Sequence, residues 1–160
     1  MKSFREYLSE AEKKEKTGTY ASLKLKESSK KRLMKWLNDH KVKNIVDEED
    51  FHCTVVYSRK AIPELADKKV KLPVSATIAG WKILGKDCLV LLINSAKIEK
   101  LHEDALEMGA THDYDEYIPH VTVATEYDKD LPEEIPPFKL FFDDCVVEEL
   151  DLDFSYMSTK

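Results

Sequence analysis

One short pattern occurs twice in this chain, and it restricts the fold more than any other feature. The segments Phe51-His52-Cys53-Thr54-Val55 and Pro119-His120-Val121-Thr122-Val123 each place a histidine and a threonine two positions apart, among apolar neighbours. Side chains two apart on a β-strand point to the same face, about 6.8 Å apart along it. Each segment is therefore predicted to be a strand with one imidazole and one hydroxyl on one face. The repetition predicts two similar halves.

The rest of the chain predicts a strand–helix–strand order twice over. The apolar stripe at Leu33, Met34, Trp36 and Leu37 predicts a helix from Ser28 or Ser29 to about Val42. The 160 residues suit one domain, 1–160, of the α+β class with two lobes. The other predicted elements are strands at 19–26, 51–57, 70–84 (one or two), 88–94 and 119–124, a helix outlined by Ile98, Leu101, Ala105, Leu106 and Met108, and two strands within 138–156.

The charge pattern excludes some classes of partner. Residues 1–46 carry 13 Lys/Arg against 6 Asp/Glu, whereas residues 47–160 carry 12 against 25, which gives the net charge of −6. An acidic protein is not drawn to a long nucleic acid, although a small anion can still bind at a local basic edge. The longest apolar run, Cys88 to Ile93, is too short for a membrane span, and the charged N-terminus is not a secretory signal.

Two imidazoles, each beside a hydroxyl, suggest acid–base chemistry on a phosphodiester. Imidazoles in general titrate near pH 6.5, so two of them can serve as base and acid at neutral pH. Neighbouring hydroxyls can hold the non-bridging oxygens of a phosphate. This set needs no metal or cofactor. The residue pattern leaves open which histidine is the base and which is the acid.

Both motifs, and most of the chain from about Thr19 to Tyr156, resemble the 2H phosphoesterases. Within that superfamily the chain is most similar to the phage anti-CBASS protein 1 group. The resemblance implies two pseudo-symmetric, mainly antiparallel sheet-and-helix halves around a cleft, with His52, Thr54, His120 and Thr122 as the catalytic set. It implies metal-free opening of cyclic di- and trinucleotides such as 3′,3′-cGAMP, through a 2′,3′-cyclic phosphate, in the cytosol of an infected bacterium.

Other residues are candidates for substrate binding, and each also has an ordinary structural interpretation. Aromatic rings can stack on bases, a carboxylate can accept hydrogen bonds from a purine, and a lysine can balance a phosphate. Glu149 is an alternative to Glu148 for the purine contact. The candidates are Tyr20, Trp81, Glu148, Phe154 and Lys24.

Three further features are not assigned to the catalytic site. The acidic segment His112-Asp113-Tyr114-Asp115-Glu116 is expected to be solvated rather than to bind a metal, and His40 and His102 are expected on helix exteriors. The three separated cysteines are expected to be reduced thiols. Residues 1–16 predict a helical leader similar to capsid-targeting leaders of large tailed phages, cut after Glu10; an ordinary amphipathic helix is the alternative.

Two other functions remain open at this point. One is a 2H enzyme that acts on RNA 2′,3′-cyclic phosphate ends or on 2′,5′-oligoadenylates. The other is a protein that sequesters a cyclic nucleotide without cutting it, although sequestration alone does not call for two imidazoles. A monomer is expected in each case.

Overall fold

Six antiparallel strands form one sheet in the computed structural model, which describes residues 17–112 and 116–151. The strand order is β2-β1-β6-β3-β4-β5, so the two strands that carry the motifs, β2 and β5, are at opposite ends of the order. The elements are β1 (Thr17–Leu25), α1 (Glu27–Asp39), β2 (His52–Ser58), β3 (Val74–Leu84), β4 (Cys88–Asn94), α2 (Ala96–Glu107), β5 (His120–Ala124) and β6 (Leu140–Asp151).

The last strand belongs to both halves. Its first residues pair with β3, with Phe142 opposite Val74, and the rest pair along the whole length of β1. The prediction of two strands in 138–156 is wrong for 140–151, which form one strand. The register shifts where Lys24 pairs with Asp144 but Leu25 pairs with Phe142, so Asp143 has no partner on β1. This irregularity interrupts the alternation of apolar and polar residues, which in the sequence resembles the end of a strand.

The two helices are exchanged between the halves. α1 follows β1, yet Trp36 of α1 stacks on Trp81 of β3, with ring centroids 5.8 Å apart. α2 follows β4, yet His102 of α2 forms a 2.7 Å hydrogen bond to the Val55 carbonyl of β2. Each helix therefore contacts a strand of the other half.

The buried face of α2 differs from the predicted stripe. Ile98 and Ala105 are buried as expected, but Leu106 and Met108 are 40% exposed and His102 is only 5% exposed. The expectation that His102 lies on the helix exterior is therefore wrong. A histidine can occupy this buried position because its ring nitrogen donates to a strand carbonyl, which satisfies both groups.

The buried apolar side chains form one cluster that takes residues from both halves, including Leu23 of β1 and Leu91 of β4. Gly18 allows β1 and β2 to approach, because a Cβ atom there would collide with the backbone oxygen of Ser58. The predicted leader over 1–16 and the candidate Phe154 lie outside the described residues.

Candidate active site

The first motif has the predicted alternation. His52 and Thr54 of β2 are half-buried, while Cys53 and Val55 are buried on the opposite, core face of the sheet. Strand partners in register point the same way, so Lys24 and Ser22 of β1 lie beside His52 and Thr54, respectively. We call this side of the sheet the motif face.

The second motif repeats the arrangement on β5. His120 and Thr122 are half-buried, and Val121 and Val123 are fully buried. In the β4–β5 pair, Leu92 lies beside His120 and Val90 beside Thr122. Followed strand by strand across the sheet, the register places His120 and Thr122 on the same face as the first motif, the motif face.

A β-bulge follows each motif at the same position. In the first pair, Ser22 is opposite Thr54 but Ala21 is opposite Val56. In the second pair, Val90 is opposite Thr122 but Leu89 is opposite Ala124. Each bulge lets two consecutive residues face the core: Val55 with Val56, and Val123 with Ala124.

Both catalytic candidates have the same ring orientation. The Nδ1 of His52 is 2.6 Å from the Asp50 carbonyl oxygen, and the Nδ1 of His120 is 2.7 Å from the Ile118 carbonyl oxygen. Because a carbonyl only accepts, Nδ1 must carry a proton in both rings. In the neutral rings Nε2 is then the basic nitrogen, and in the protonated rings it is the second N–H. In both imidazoles Nε2 is thus the nitrogen left for contact with a substrate.

The two motif strands lie close together although the sheet order separates them. Tyr117, three residues before His120, donates a 2.7 Å hydrogen bond to the Thr54 carbonyl. The Cys53 sulphur is 3.8 Å from the Tyr117 hydroxyl. Burial raises the pKa of the Cys53 thiol to about 11, while that hydroxyl and the backbone amide of His120 act in the opposite direction. Contacts from both motifs therefore converge on Cys53 and Tyr117.

Tyr20 contacts the first motif directly. Its hydroxyl is 3.0 Å from Thr54 Oγ1, and its ring meets the His52 ring edge-on at a centroid distance of 6.5 Å. Lys24 is the register partner of His52, and Glu148 of β6 is the register partner of Tyr20. The structure thus brings Tyr20, Lys24 and Glu148 to the motif face beside the first motif.

Tyr57 was missed by the sequence analysis. It is 36% exposed, lies opposite Tyr20 in the β1–β2 register, and meets the Tyr20 ring edge-on at 6.3 Å. The bulge returns it to the motif face, whereas strict alternation from His52 assigns position 57 to the core. Its signal in the sequence is the consecutive apolar pair Val55-Val56, which breaks the alternation.

Trp81 is not on the motif face, which corrects the expectation that it stacks on a base. It pairs with Leu91, which pairs with the buried Val121, so Trp81 points to the core face. There it stacks on Trp36, and its indole N–H donates to the Glu134 carbonyl. Glu149 pairs with Thr19, one position along from Tyr20, so the register separates it from Glu148 and the motif face.

The other residues considered in the sequence are the acidic segment, His40 and the cysteines. Asp113 and Asp115 fall outside the described residues, and His112 packs edge-on against His102 at 4.7 Å. His40 is exposed at the end of α1 and stacks on Trp36. The cysteines in the structure are free thiols: Cys53, Cys88 and Cys145.

Among the described residues, the carboxylates of Glu27, Glu48 and Glu49 come close enough together to hold a cation. The Lys30 ammonium group already lies 2.9 Å from Glu49 and 3.8 Å from Glu27. The hydrogen bond to Glu49 raises the pKa of Lys30, against the effect of burial, so this lysine stays charged. Glu27 and Glu49 are therefore paired with a cation that belongs to the protein.

Several solved structures share this fold. Escherichia coli LigT in complex with 3′-AMP has a TM-score of 0.61 at 12% identity, over 82% of this chain and 86% of LigT. A structure described as a phosphoesterase has a TM-score of 0.58 at 13% identity, over 83% of this chain and 87% of that one. With its two His-x-Thr strands, the chain has the fold of the 2H phosphoesterases.

The sequence comparisons are more specific. The family model for the anti-CBASS protein Acb1 matches residues 17–157. The anti-CBASS protein Acb1 of Vibrio phage KVP40 is 33% identical over 88% of this chain and 92% of its own length. That of Enterobacteria phage T4 is 32% identical over 68% of this chain and 72% of its own length. The chain belongs to the Acb1 family.

Proposed function

We propose that this protein is a metal-independent phosphodiesterase that opens cyclic di- and trinucleotides, with His52 and His120 as general acid and base. The observation that carries the proposal is the matched anchoring of both rings through Nδ1, which reserves both Nε2 atoms for proton transfer. Membership of the anti-CBASS Acb1 family supports a cyclic oligonucleotide as the substrate.

In the first step, the Nε2 of one neutral imidazole removes the proton from a ribose 2′-hydroxyl. The 2′-oxygen attacks phosphorus, and the bond from phosphorus to the 5′-oxygen of the next nucleotide breaks. The other, protonated imidazole gives its Nε2 proton to this departing oxygen. The ring is opened, and the product has a 2′,3′-cyclic phosphate at one end.

In the second step, water replaces the 2′-hydroxyl as the nucleophile. The imidazole that is now neutral accepts a proton from water, and the imidazole that is now protonated returns its proton to the departing ribose oxygen. The linear product ends in a phosphate monoester, and both rings are back in their starting states. The two imidazoles supply every proton transfer, so this route requires no Lewis acid.

The threonines and their neighbours bind the substrate. We assign Thr54 and Thr122 to the non-bridging phosphate oxygens, where their hydroxyls stabilise the charge that develops in the transition state. Tyr20 provides an aromatic surface for a base, Lys24 a positive charge for a phosphate, and Glu148 an acceptor for a purine N–H. All three lie beside the first motif.

The test is cleavage of 3′,3′-cGAMP in EDTA, with products separated by chromatography. We expect a linear product from the wild type, and none from His52→Ala or His120→Ala. His40→Ala is the matched control, because His40 is an exposed histidine outside both motifs. Loss of activity in EDTA would contradict the metal-free mechanism.

Uncut substrate would support one of two alternatives, sequestration of the cyclic nucleotide or activity on other phosphodiesters. If uncut 3′,3′-cGAMP stays bound to the protein, the function is sequestration. If it stays free, the next substrates are RNA 2′,3′-cyclic phosphate ends and 2′,5′-oligoadenylates.

For the biological setting, we propose that the protein acts as a monomer in the cytosol of an infected bacterium, where it counters CBASS immunity. The family name supports this setting. Among the described residues, neither helix has the length and apolar character that crossing a membrane requires. Capsid packaging through a leader cut after Glu10 stays a prediction.

A further inference from the structure

The segment between α2 and β5 contacts the first motif through Tyr117. The Tyr117 hydroxyl donates to the carbonyl oxygen of Thr54 at 2.7 Å. Thr54 is followed by the bulge at Val55 and Val56, where the β1–β2 register shifts. An interrupted ladder leaves backbone groups in need of other partners, and the tyrosine hydroxyl is one donor to this carbonyl.

The same segment also holds the second motif. Ile118, the next residue, provides the carbonyl that accepts from Nδ1 of His120. Two adjacent residues thus connect the two motifs: Tyr117 is bonded to the backbone of Thr54, and Ile118 is bonded to the ring of His120. The chain between these two contacts is a single peptide unit, which leaves little freedom for one motif to move relative to the other.

Tyr117 is itself held in place by buried groups. Its ring stacks on the His102 ring at 3.9 Å with an interplanar angle of 10°. His102 donates through Nδ1 to the Val55 carbonyl at 2.7 Å, so the stacked pair serves two successive carbonyls at the bulge. Burial raises the pKa of Tyr117 and lowers the pKa of His102, so the hydroxyl remains a donor and the imidazole neutral at neutral pH.

We propose that Tyr117 is a positioning residue that fixes the spacing of the two catalytic imidazoles, with His102 holding its ring. The inference rests on the proposed two-histidine function and adds the residue on which the geometry of the pair depends. Tyr117 acts through the backbone of Thr54 and the carbonyl of Ile118, not by touching the substrate. A displacement of about 1 Å between reacting groups costs on the order of 100-fold in rate.

The first test is Tyr117→Phe, which keeps the ring and its stacking and removes only the hydroxyl. We expect kcat on 3′,3′-cGAMP to fall about 10- to 100-fold while KM stays within about twofold, because the binding groups remain. Tyr127→Phe is the matched control, since that hydroxyl bonds a carbonyl in the loop after β5. A kcat for Tyr117→Phe within twofold of an active wild type would overturn the proposal.

A second measurement does not depend on the substrate. The ring nitrogen signals of His52 and His120 in NMR spectra of labelled protein report the tautomer and the Nδ1 hydrogen bond of each imidazole. Tyr117→Phe is expected to shift or broaden the signals of both rings, and Tyr127→Phe neither. Unchanged signals in Tyr117→Phe would overturn the proposal whatever the activity. If the wild type cleaves no substrate, the proposed function fails while these signals still decide the role of Tyr117.

Two variants of His102, which stacks on Tyr117, give a separate test. His102→Asn retains a side-chain N–H at a reach similar to Nδ1, whereas His102→Leu removes the donor to Val55. We expect kcat to fall by about tenfold or more in His102→Leu, which loses the donor and the stacked ring, and by less in His102→Asn, which loses only the ring. Thermal unfolding is recorded for both variants. Equal kcat in folded His102→Leu and wild type would exclude His102 from this arrangement.

Discussion

At the residue scale, the two motifs differ in how the threonine is held. The Thr54 hydroxyl is hydrogen-bonded to Tyr20. Tyr20 lies two residues before Ser22, the strand partner of Thr54. The equivalent position beside the second motif is Cys88, which lies two residues before Val90, the strand partner of Thr122. The thiol at this position is a weaker hydrogen-bonding group than the phenol of Tyr20. The pseudo-symmetry of the site is therefore broken at this position, as it is beside the histidines, where Lys24 corresponds to Leu92.

This difference predicts an interaction between Tyr20 and Thr54. Tyr20→Phe removes one hydrogen bond, worth about 1 kcal/mol, and should lower kcat/KM about fivefold. Thr54→Val and Thr122→Val should each cost about 10- to 1,000-fold. Steady-state kinetics of the double variants give the check. Tyr20→Phe should cost nothing further in Thr54→Val and its full fivefold in Thr122→Val; equal costs in both backgrounds would contradict the coupling.

Tyr57 gives a prediction about substrate affinity. Base stacking on an aromatic side chain contributes about 1–3 kcal/mol, so Tyr57→Leu should weaken binding of 3′,3′-cGAMP about 5- to 150-fold. Calorimetry on a His52→Ala, His120→Ala background measures this binding without cleavage. Tyr57→Phe, which keeps the ring, should bind within about twofold of the parent. Equal affinities for Leu and Phe would show that the ring does not contact a base.

At the element scale, the bulges explain where interpretation of the sequence succeeded and where it failed. Alternation along each strand correctly assigned His52 and Thr54 to one face and Cys53 to the other. Beyond Thr54 the same rule fails, because the bulge reverses the phase and turns Tyr57 outward. A bulge is fixed by the pairing with the neighbouring strand, which a single-strand pattern does not contain. For the same reason the irregular β6 was predicted as two strands.

The burial of His102 in α2 has a consequence for stability against acid. Burial lowers its pKa, so the unfolded chain binds a proton at this position more readily than the folded protein. The free energy of unfolding should therefore be intact above about pH 6.5 and decrease as the pH falls below it. Chemical denaturation between pH 5 and 8 should show a smaller decrease for His102→Asn than for the wild type. Parallel curves for the two proteins would contradict a buried neutral histidine.

At the scale of the whole molecule, neither half contains both of the proposed catalytic histidines. His52 is at one end of the strand order and His120 at the other, and only the closure of the fold brings their strands together. Local patterns in the sequence identified both motifs and most of the strands and helices. They did not reveal the exchange of the helices or the orientation of Trp81, because both depend on contacts such as Trp36 with Trp81, between residues far apart in the chain.

Because the proposed site takes one histidine from each half, we expect the effects of the two histidine substitutions on kcat to be strongly non-additive. Removing either histidine eliminates one of two coupled proton transfers, so His52→Ala and His120→Ala should each lower kcat at least about 1,000-fold. The double variant should be no worse than the more damaged single variant, within about threefold. Single-turnover measurements at high enzyme concentration can reach these rates. A single variant that keeps a tenth of the wild-type rate would mean that one half is sufficient.

Because β6 pairs with strands of both halves, it also affects how the protein folds during synthesis. Because β6 follows every other described strand in the sequence, it is the last of them to leave the ribosome. Until then β1 and β3 lack the strand that lies between them, and the two halves have no common sheet. Folding that depends on such distant pairing is slow compared with the formation of local structure. The two halves of the sheet can therefore join only after nearly all of the described chain has been synthesised.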